Sequence, residues 1–367
     1  MKVLIAYGLL LIAALLFSDR GLGAYASFFH YIAPFLVIGT VIVLRANSVV
    51  DQDYFVRILK VLISCYLIVA VFAILQYYIL PRDVLDLIGY SEAGIRSHQL
   101  VGTQQQALRV LSTTAGPNSL GIYAAFMIPI LVLSKRVITT GIFSKITTIL
   151  ILLTPLVVFV SKSRTGLVGL VFAAFCVLLM HRRQIHKKLK NNSTYNLFVA
   201  VVAVLILSPL CLIYINNGFG LSRGGSGIDT SDGQRLRSWE LAVDQLQNKP
   251  FGHGLGTAGI GSFYRPDGPN IIENYYLQVG YELGIAGLLL FLVATALIFR
   301  EVVRIGDRYI KYCALNLLGV VVISCIFLPA LSDELLATIP FLILGLMVGA
   351  NLGPLHAEST KVSKVFW

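Results

Sequence analysis

DTSDGQRLRSWELAVDQLQNKPFGHGLGTAGIGSFYRPDGPNIIENYYLQVGYELG, residues 229–284, is the longest polar interval in an otherwise apolar chain. It holds one short amphipathic helix, a glycine-rich loop, several arginines and the first turn of a long apolar helix. Around it the sequence runs in apolar stretches, several of them long enough to cross a bilayer, which takes about 20 residues per helix. Of the 367 residues 57% are hydrophobic and 13% charged, where a soluble domain carries about a quarter charged. The apolar runs do not alternate with period two, which excludes a β-barrel. The fold class is therefore an all-α polytopic membrane protein, one membrane domain over residues 1–367, with its polar chemistry gathered in a large loop at 217–270.

Ten spans are expected, near 3–17, 28–44, 58–80, 117–134, 143–160, 166–180, 196–215, 271–299, 312–330 and 335–352. The first could pass for a signal peptide but has no small-residue cleavage site, so it reads as a membrane helix. With the N-terminus inside, 18 of the 29 Lys and Arg residues fall on the inner side, the cluster HRRQIHKKLK (181–190) foremost. That bias satisfies the positive-inside rule. It puts both termini and the 353–367 tail in the cytoplasm, and the large loop outside. The rule also accounts for the net charge of +11, so no nucleic-acid partner is expected. The five cysteines all lie in apolar runs without a CxxC, which gives no disulfide framework and no metal site.

Nine of the eleven outer cations are arginine, whereas lysine leads on the inner side. Orientation requires only positive charge, so the outer preference asks for another reason. The planar guanidinium fork holds phosphate through two hydrogen bonds. The outer face thus points to an anionic, phosphorylated ligand. Two outer loops are long, 81–116 and 217–270, and a tight turn SKSRTG (161–166) lies between them. Lys162 and Arg164 in that turn either meet the ligand or snorkel to headgroups.

Within the large loop, Ser231–Gln234 fits a capping box opening a helix that Pro250 ends. Leu236, Trp239, Val243 and Leu246 would share its apolar face, lying on the membrane surface or against the bundle. Arg235, one turn before Trp239, can stack on it; Arg237 faces Glu240 as an ordinary surface pair. Gly252, Gly254 and Gly256 follow, spaced like a dinucleotide fingerprint but without the strand that motif requires. They read better as bare backbone that lets a ligand or helix approach, or as an anion nest. His253 among them is a solvated loop residue or a base. A calcium loop from Asp229 to Glu240 fails on glycine position and ligand quality. Glu273 at the next helix start could take a proton from a sugar hydroxyl. It could equally cap that helix, with Asn270 at the N-cap. Asn274, Gln278, Tyr281 and Glu282 follow it.

PNSLG (117–121), SRTG (163–166), RLRSW (235–239), PFGHGLGT (250–257) and ENYYLQVGYELGIAG (273–287) together resemble the O-antigen ligase and Wzy-type polysaccharide polymerase superfamily of bacterial envelope glycan transferases. The likeness covers roughly residues 105–300. It implies a GT-C-like fold in the cytoplasmic membrane and a donor glycan on undecaprenyl pyrophosphate, transferred at the extracytoplasmic face without metal or nucleotide cofactor. By that resemblance Arg164 and Arg235 hold the pyrophosphate. Arg109, Arg237, Arg265, Asn274, Tyr281 and the three loop glycines complete the substrate site, and membrane lipid, a chain-length regulator or a flippase would be partners. Ligases acting on lipid A core typically have His-Asn where this chain has Glu273-Asn274, which favours a polymerase over such a ligase. A competing class is a transporter or flippase of an anionic lipid. It would call for central charges and repeated, broken helices, which the spans do not display.

Overall fold

The computed structural model describes residues 2–18, 21–91, 96–101, 107–188, 231–266 and 268–352. They form α1 (Lys2–Phe17), α2 (Leu22–Ala46), α3 (Gln52–Tyr78), β1 (His98–Val101), β2 (Ala107–Val110), α4 (Pro117–Val137), α5 (Gly141–Ser161), α6 (Arg164–Lys188), α7 (Ser231–Asn248), α8 (Tyr275–Val303), α9 (Arg308–Phe327) and α10 (Glu334–Leu352). Each expected span falls on one of these helices except 196–215, which lies outside the described residues, as does the 353–367 tail. Among the described residues seven helices are long and apolar enough to cross a membrane: α2 to α6, α8 and α9. The apolar parts of α1 and α10 are shorter.

Local chemistry sets several of the helix starts. Asp51 accepts from the Tyr54 amide and opens α3, and Asp307 accepts from the Tyr309 and Ile310 amides and opens α9. Pro117 at the first position of α4 gives up an amide that would have no partner there. α5 stops where Lys162 takes the left-handed conformation, φ 49°.

α4 is the centre of the bundle. Every side chain from Leu120 to Ser134 is buried, as expected of a helix apolar on all sides, and α3, α5, α6, α9 and α10 surround it. Small residues bring neighbours close. Gly345 and Gly349 of α10 leave room only for the α2 backbone and the stems of Val41 and Arg45, a small-xxx-small contact. Gly121 of α4 and Gly166 of α6 abut, so that a methyl on Gly166 would sit 2.7 Å from the Gly121 Cα. Gly166→Ala is expected to destabilise the fold by about 1–3 kcal/mol through overpacking, read as a lower melting temperature in detergent.

The sequence reading has no strand, and the structure adds one feature there. β1 and β2 pair antiparallel, His98 opposite Val110 and Gln99 opposite Arg109. Four residues per strand are too few for a periodic signal. The hairpin is fastened by Gln76 at the end of α3, which donates to the Ser97 carbonyl at 2.7 Å and accepts from the Ser112 amide at 2.9 Å.

Candidate active site

Two polar clusters lie at the end of the bundle where α4, α6 and α8 begin. Gly169, five residues after Arg164, faces Val320 of α9. Tyr276, three residues after Glu273, donates from its hydroxyl to the Val322 carbonyl of the same helix. Arg164 and Glu273 therefore emerge at one level, on walls that share α9.

The first cluster is cationic. β2 carries Arg109 inward, where its Nε donates to the Ser161 carbonyl at 3.2 Å and its Nη2 to Asn118 Oδ1 at 2.8 Å. Both acceptors are neutral. Burial, and after it the charge of Arg164, pushes the guanidinium down to about 10. The Lys162 ammonium is likewise lowered, first by burial and then by Arg109, and it lies over the Tyr77 ring. Arg164 is the first residue of α6, and the Ser163 hydroxyl accepts from the Gly166 amide at 3.0 Å to close that turn. The N-termini of α4 and α6 add their own partial positive charge. Arg109, Lys162, Arg164 and Asn118 thus make an electropositive corner, the kind of place that takes an anion.

The second cluster centres on Glu273. Arg235 Nε donates to its Oε2 at 2.7 Å, and Trp239 Nε1 donates to its backbone carbonyl at 2.8 Å. The carboxylate side chain is 37% exposed and the guanidinium 16%, so Glu273 opens outward with Arg235 behind it. The expected cap is corrected here. α8 begins at Tyr275, and Asn274, not Asn270, is its N-cap, accepting from the Leu277 amide. Asn270 instead braces the loop through Ser262 and Thr257. Glu273 precedes the helix and caps nothing in it, while Asn274 is buried in a structural task. Of the expected apolar face of α7, Trp239 and Leu246 dock, through the Glu273 carbonyl and over Gly280, while Leu236 and Val243 are exposed. Ala242, outside that set, adds a contact against Ile272, Leu277 and Tyr281. Arg237 is exposed, and among the described residues no ion pair joins it to Glu240. Arg265 ends the short turn of helix at Gly259–Tyr264, and its charge bears on Tyr281.

The glycine loop holds the fold together. α8 is broken at Gly284, φ 73° and ψ −175°, and the loop fills the break. The His253 amide donates to the Tyr281 carbonyl, the Gly254 amide to the Glu282 carbonyl, and the Ile285 amide back to the Pro250 carbonyl. Leu255 and Gly256 donate to the hydroxyls of Ser18 and Ser27. Glu282, buried, accepts from the Ala258 amide at 2.9 Å and from Ser27 at 3.2 Å. The amides offered for an anion nest are thus spent on protein acceptors. Gly252 and Gly256, both at positive φ, are where the chain meets α8 and α2 backbone.

His253 stacks on Tyr281 at 4.1 Å, with Nδ1 near the Tyr281 carbonyl and Nε2 near Gln245. Burial foremost, against a smaller upward pull from that carbonyl, holds it below its ordinary 6.5. The folded protein favours the neutral ring, so this clamp contributes fully above about 6.5 and is lost as pH falls through the folded value. The fall in melting temperature from pH 7.5 to 5.5 should be smaller in His253→Gln than in the wild type.

Below and between the clusters is an apolar cavity of about 610 Å³, walled by Phe172 and Cys176 of α6, Tyr276 and Leu292 of α8, and Asn316 and Val322 of α9. Sequence reasoning assigns no role to Gln76, and Asn118 enters it only within PNSLG. Asn118 accepts from Arg109 directly, and Gln76 fastens the hairpin that carries Arg109.

Residues 148–292 match the protein family described as O-antigen ligase. The matched stretch runs from within α5 into α8 and takes in Arg164, Arg235 and Glu273; Arg109 precedes it. A comparison with curated proteins returns no match.

Proposed function

We propose, for a chain that carries an O-antigen ligase domain over residues 148–292 and so falls in the superfamily of O-antigen ligases and Wzy-type polymerases, a membrane glycosyltransferase fed by a glycan on undecaprenyl pyrophosphate. The reaction runs at the extracytoplasmic face of the cytoplasmic membrane, on a ten-span GT-C-like scaffold, with both termini in the cytoplasm. Polymerisation is the leading mode.

The observation that carries this reading is Arg109, buried on neutral acceptors with Arg164 and Lys162 bearing on it. Among the described residues Arg109 forms no ion pair; a buried guanidinium on neutral acceptors is costly, and a bound pyrophosphate relieves it. The apolar cavity alongside α6 suits the hydrocarbon chain such a pyrophosphate carries. In the reaction the acceptor hydroxyl oxygen attacks the anomeric carbon of the donor, and its proton passes to the Glu273 carboxylate. The bond from that carbon to the pyrophosphate oxygen breaks, and the electron pair leaves on the lipid pyrophosphate. Arg164 and Arg109 stabilise the departing charge as preorganised donors. Arg235 orients Glu273 through the bond from its Nε to Oε2, and Arg265 and Tyr281 border the acceptor side.

The test is a purified protein incubated with undecaprenyl-pyrophosphate oligosaccharide from its own organism, without metal or nucleotide. A ladder of longer lipid-linked glycans establishes a polymerase. A single product on an added lipid or protein acceptor establishes a ligase. Glu273→Gln should lower either product by roughly 10²–10⁴-fold, the usual share of a general base, with an unchanged size-exclusion profile. No product with authentic donor and acceptor would end the enzyme reading.

A further inference from the structure

We infer that the tip of the glycine loop, Pro250–Gly252, is inserted among the acyl chains of the leaflet at the site end of the bundle, with Phe251 as its lipid anchor.

Three observations carry this. The first is depth. The tip packs on Gly284 of α8, and 16 residues separate Gly284 from Arg300, the first charged side chain toward the other end of that helix's apolar stretch. At 1.5 Å per residue this is about 24 Å, inside a hydrocarbon core of about 30 Å. The rest of the loop rises from there. Gly256 and Gly261 pack on Gly23 of α2, about 33 Å along the helix from Arg45, which is at the boundary. The tip is therefore the deepest point.

The second is chemistry. Residues 250–264, PFGHGLGTAGIGSFY, contain no Asp, Glu, Lys or Arg, and Lys249 and Arg265 flank them. Apolar and aromatic groups between basic flanks are what an interfacial segment presents to lipid. Irregular backbone survives at membrane depth only where its polar groups are met by protein. From Phe251 to Gly259 seven of the nine amides are met in this way, all but those of Phe251 and Thr257.

The third is continuity. Phe251 is 94% exposed and adjoins the exposed face of α8 formed by Ile285, Leu289, Leu292 and Val293, a face that meets hydrocarbon in a membrane helix. A phenylalanine so exposed has little to gain in water. On that face it is solvated by acyl chains.

The test uses the full chain in phosphatidylcholine vesicles. F251W adds one indole at the tip, and Q247W adds one at a polar, exposed position of α7 as a control. Wild-type fluorescence is subtracted from each. In vesicles whose acyl chains are brominated, the indole added by F251W should lose at least half its emission and resist aqueous iodide. The indole added by Q247W should be quenched more by iodide than by the brominated lipid. If iodide quenches the indole of F251W as strongly as the brominated lipid does, or more strongly, the tip lies in water and the inference fails. Because Phe251 makes few contacts, the substitution leaves folding intact, which the size-exclusion profile verifies. The inference does not depend on the glycosyltransferase reading.

Discussion

Arg164→Ala should lower glycan transfer by roughly 10²–10³-fold, the cost of removing one preorganised charge-stabilising donor, while lowering the melting temperature far less. The two halves of this expectation come from one position. A cation on the first residue of a helix opposes the helix dipole by about 0.3–1 kcal/mol, so Arg164 at the start of α6 is poorly placed for stability. It is well placed for an anion, with Ser163 closing the turn behind it and Arg109 and Lys162 beside it. Arg164→Lys keeps the charge without the planar fork and should recover part of the activity. Initial rates on the lipid-linked donor, set beside melting temperatures in detergent, separate the effects. A melting temperature that collapses in Arg164→Ala would assign the residue to the fold instead.

Gly284→Ala should be among the most damaging small substitutions at the described positions. Its conformation, φ 73° and ψ −175°, belongs to a region essentially reserved for glycine, where another residue costs about 1–3 kcal/mol. An added methyl would also collide with the Pro250 carbonyl and the Phe251 backbone, and overpacking of that kind costs about 1–3 kcal/mol more. The loop would then leave the break in α8, exposing the backbone groups that close it. Loss of the monodisperse peak on size exclusion is the expected result. Gly39→Ala in α2, with nothing within 4 Å of its added methyl, should be neutral or stabilising by up to about 1 kcal/mol.

Long apolar runs made the helical scaffold legible, because length and composition alone mark a helix that can cross a bilayer. The ends were less so. At α8 the pair Asn270 and Glu273 has the spacing of a capping box, yet Asn274, one residue past that pattern, takes the cap. Spacing cannot say which of two adjacent polar groups reaches the amide. The arginines were legible as a composition bias, and SRTG placed Arg164 in its turn. Their partners were not, since Arg109 meets Asn118 and Ser161 across the hairpin, and Gln76 meets that hairpin from the end of α3. The glycine loop was read as bare backbone for close approach. The approach is made by α2 and α8, because Gly23, Gly252, Gly256 and Gly284 each leave no room for a side chain.

The supports of that loop carry a further consequence. Ser18, Gly23 and Ser27, which receive it, belong to the second helix and the turn before it, more than a hundred residues before the stretch 148–292 that matches the O-antigen ligase family. That stretch is therefore not a portable module. Cut free, it would strand the Leu255 and Gly256 amides and leave Glu282 with the loop but without its serine. Grafting this site onto another membrane scaffold would mean transplanting a helical hairpin of matching small-residue footprint along with it. The opening helices are as much a foundation of the chemistry as the arginines that face it.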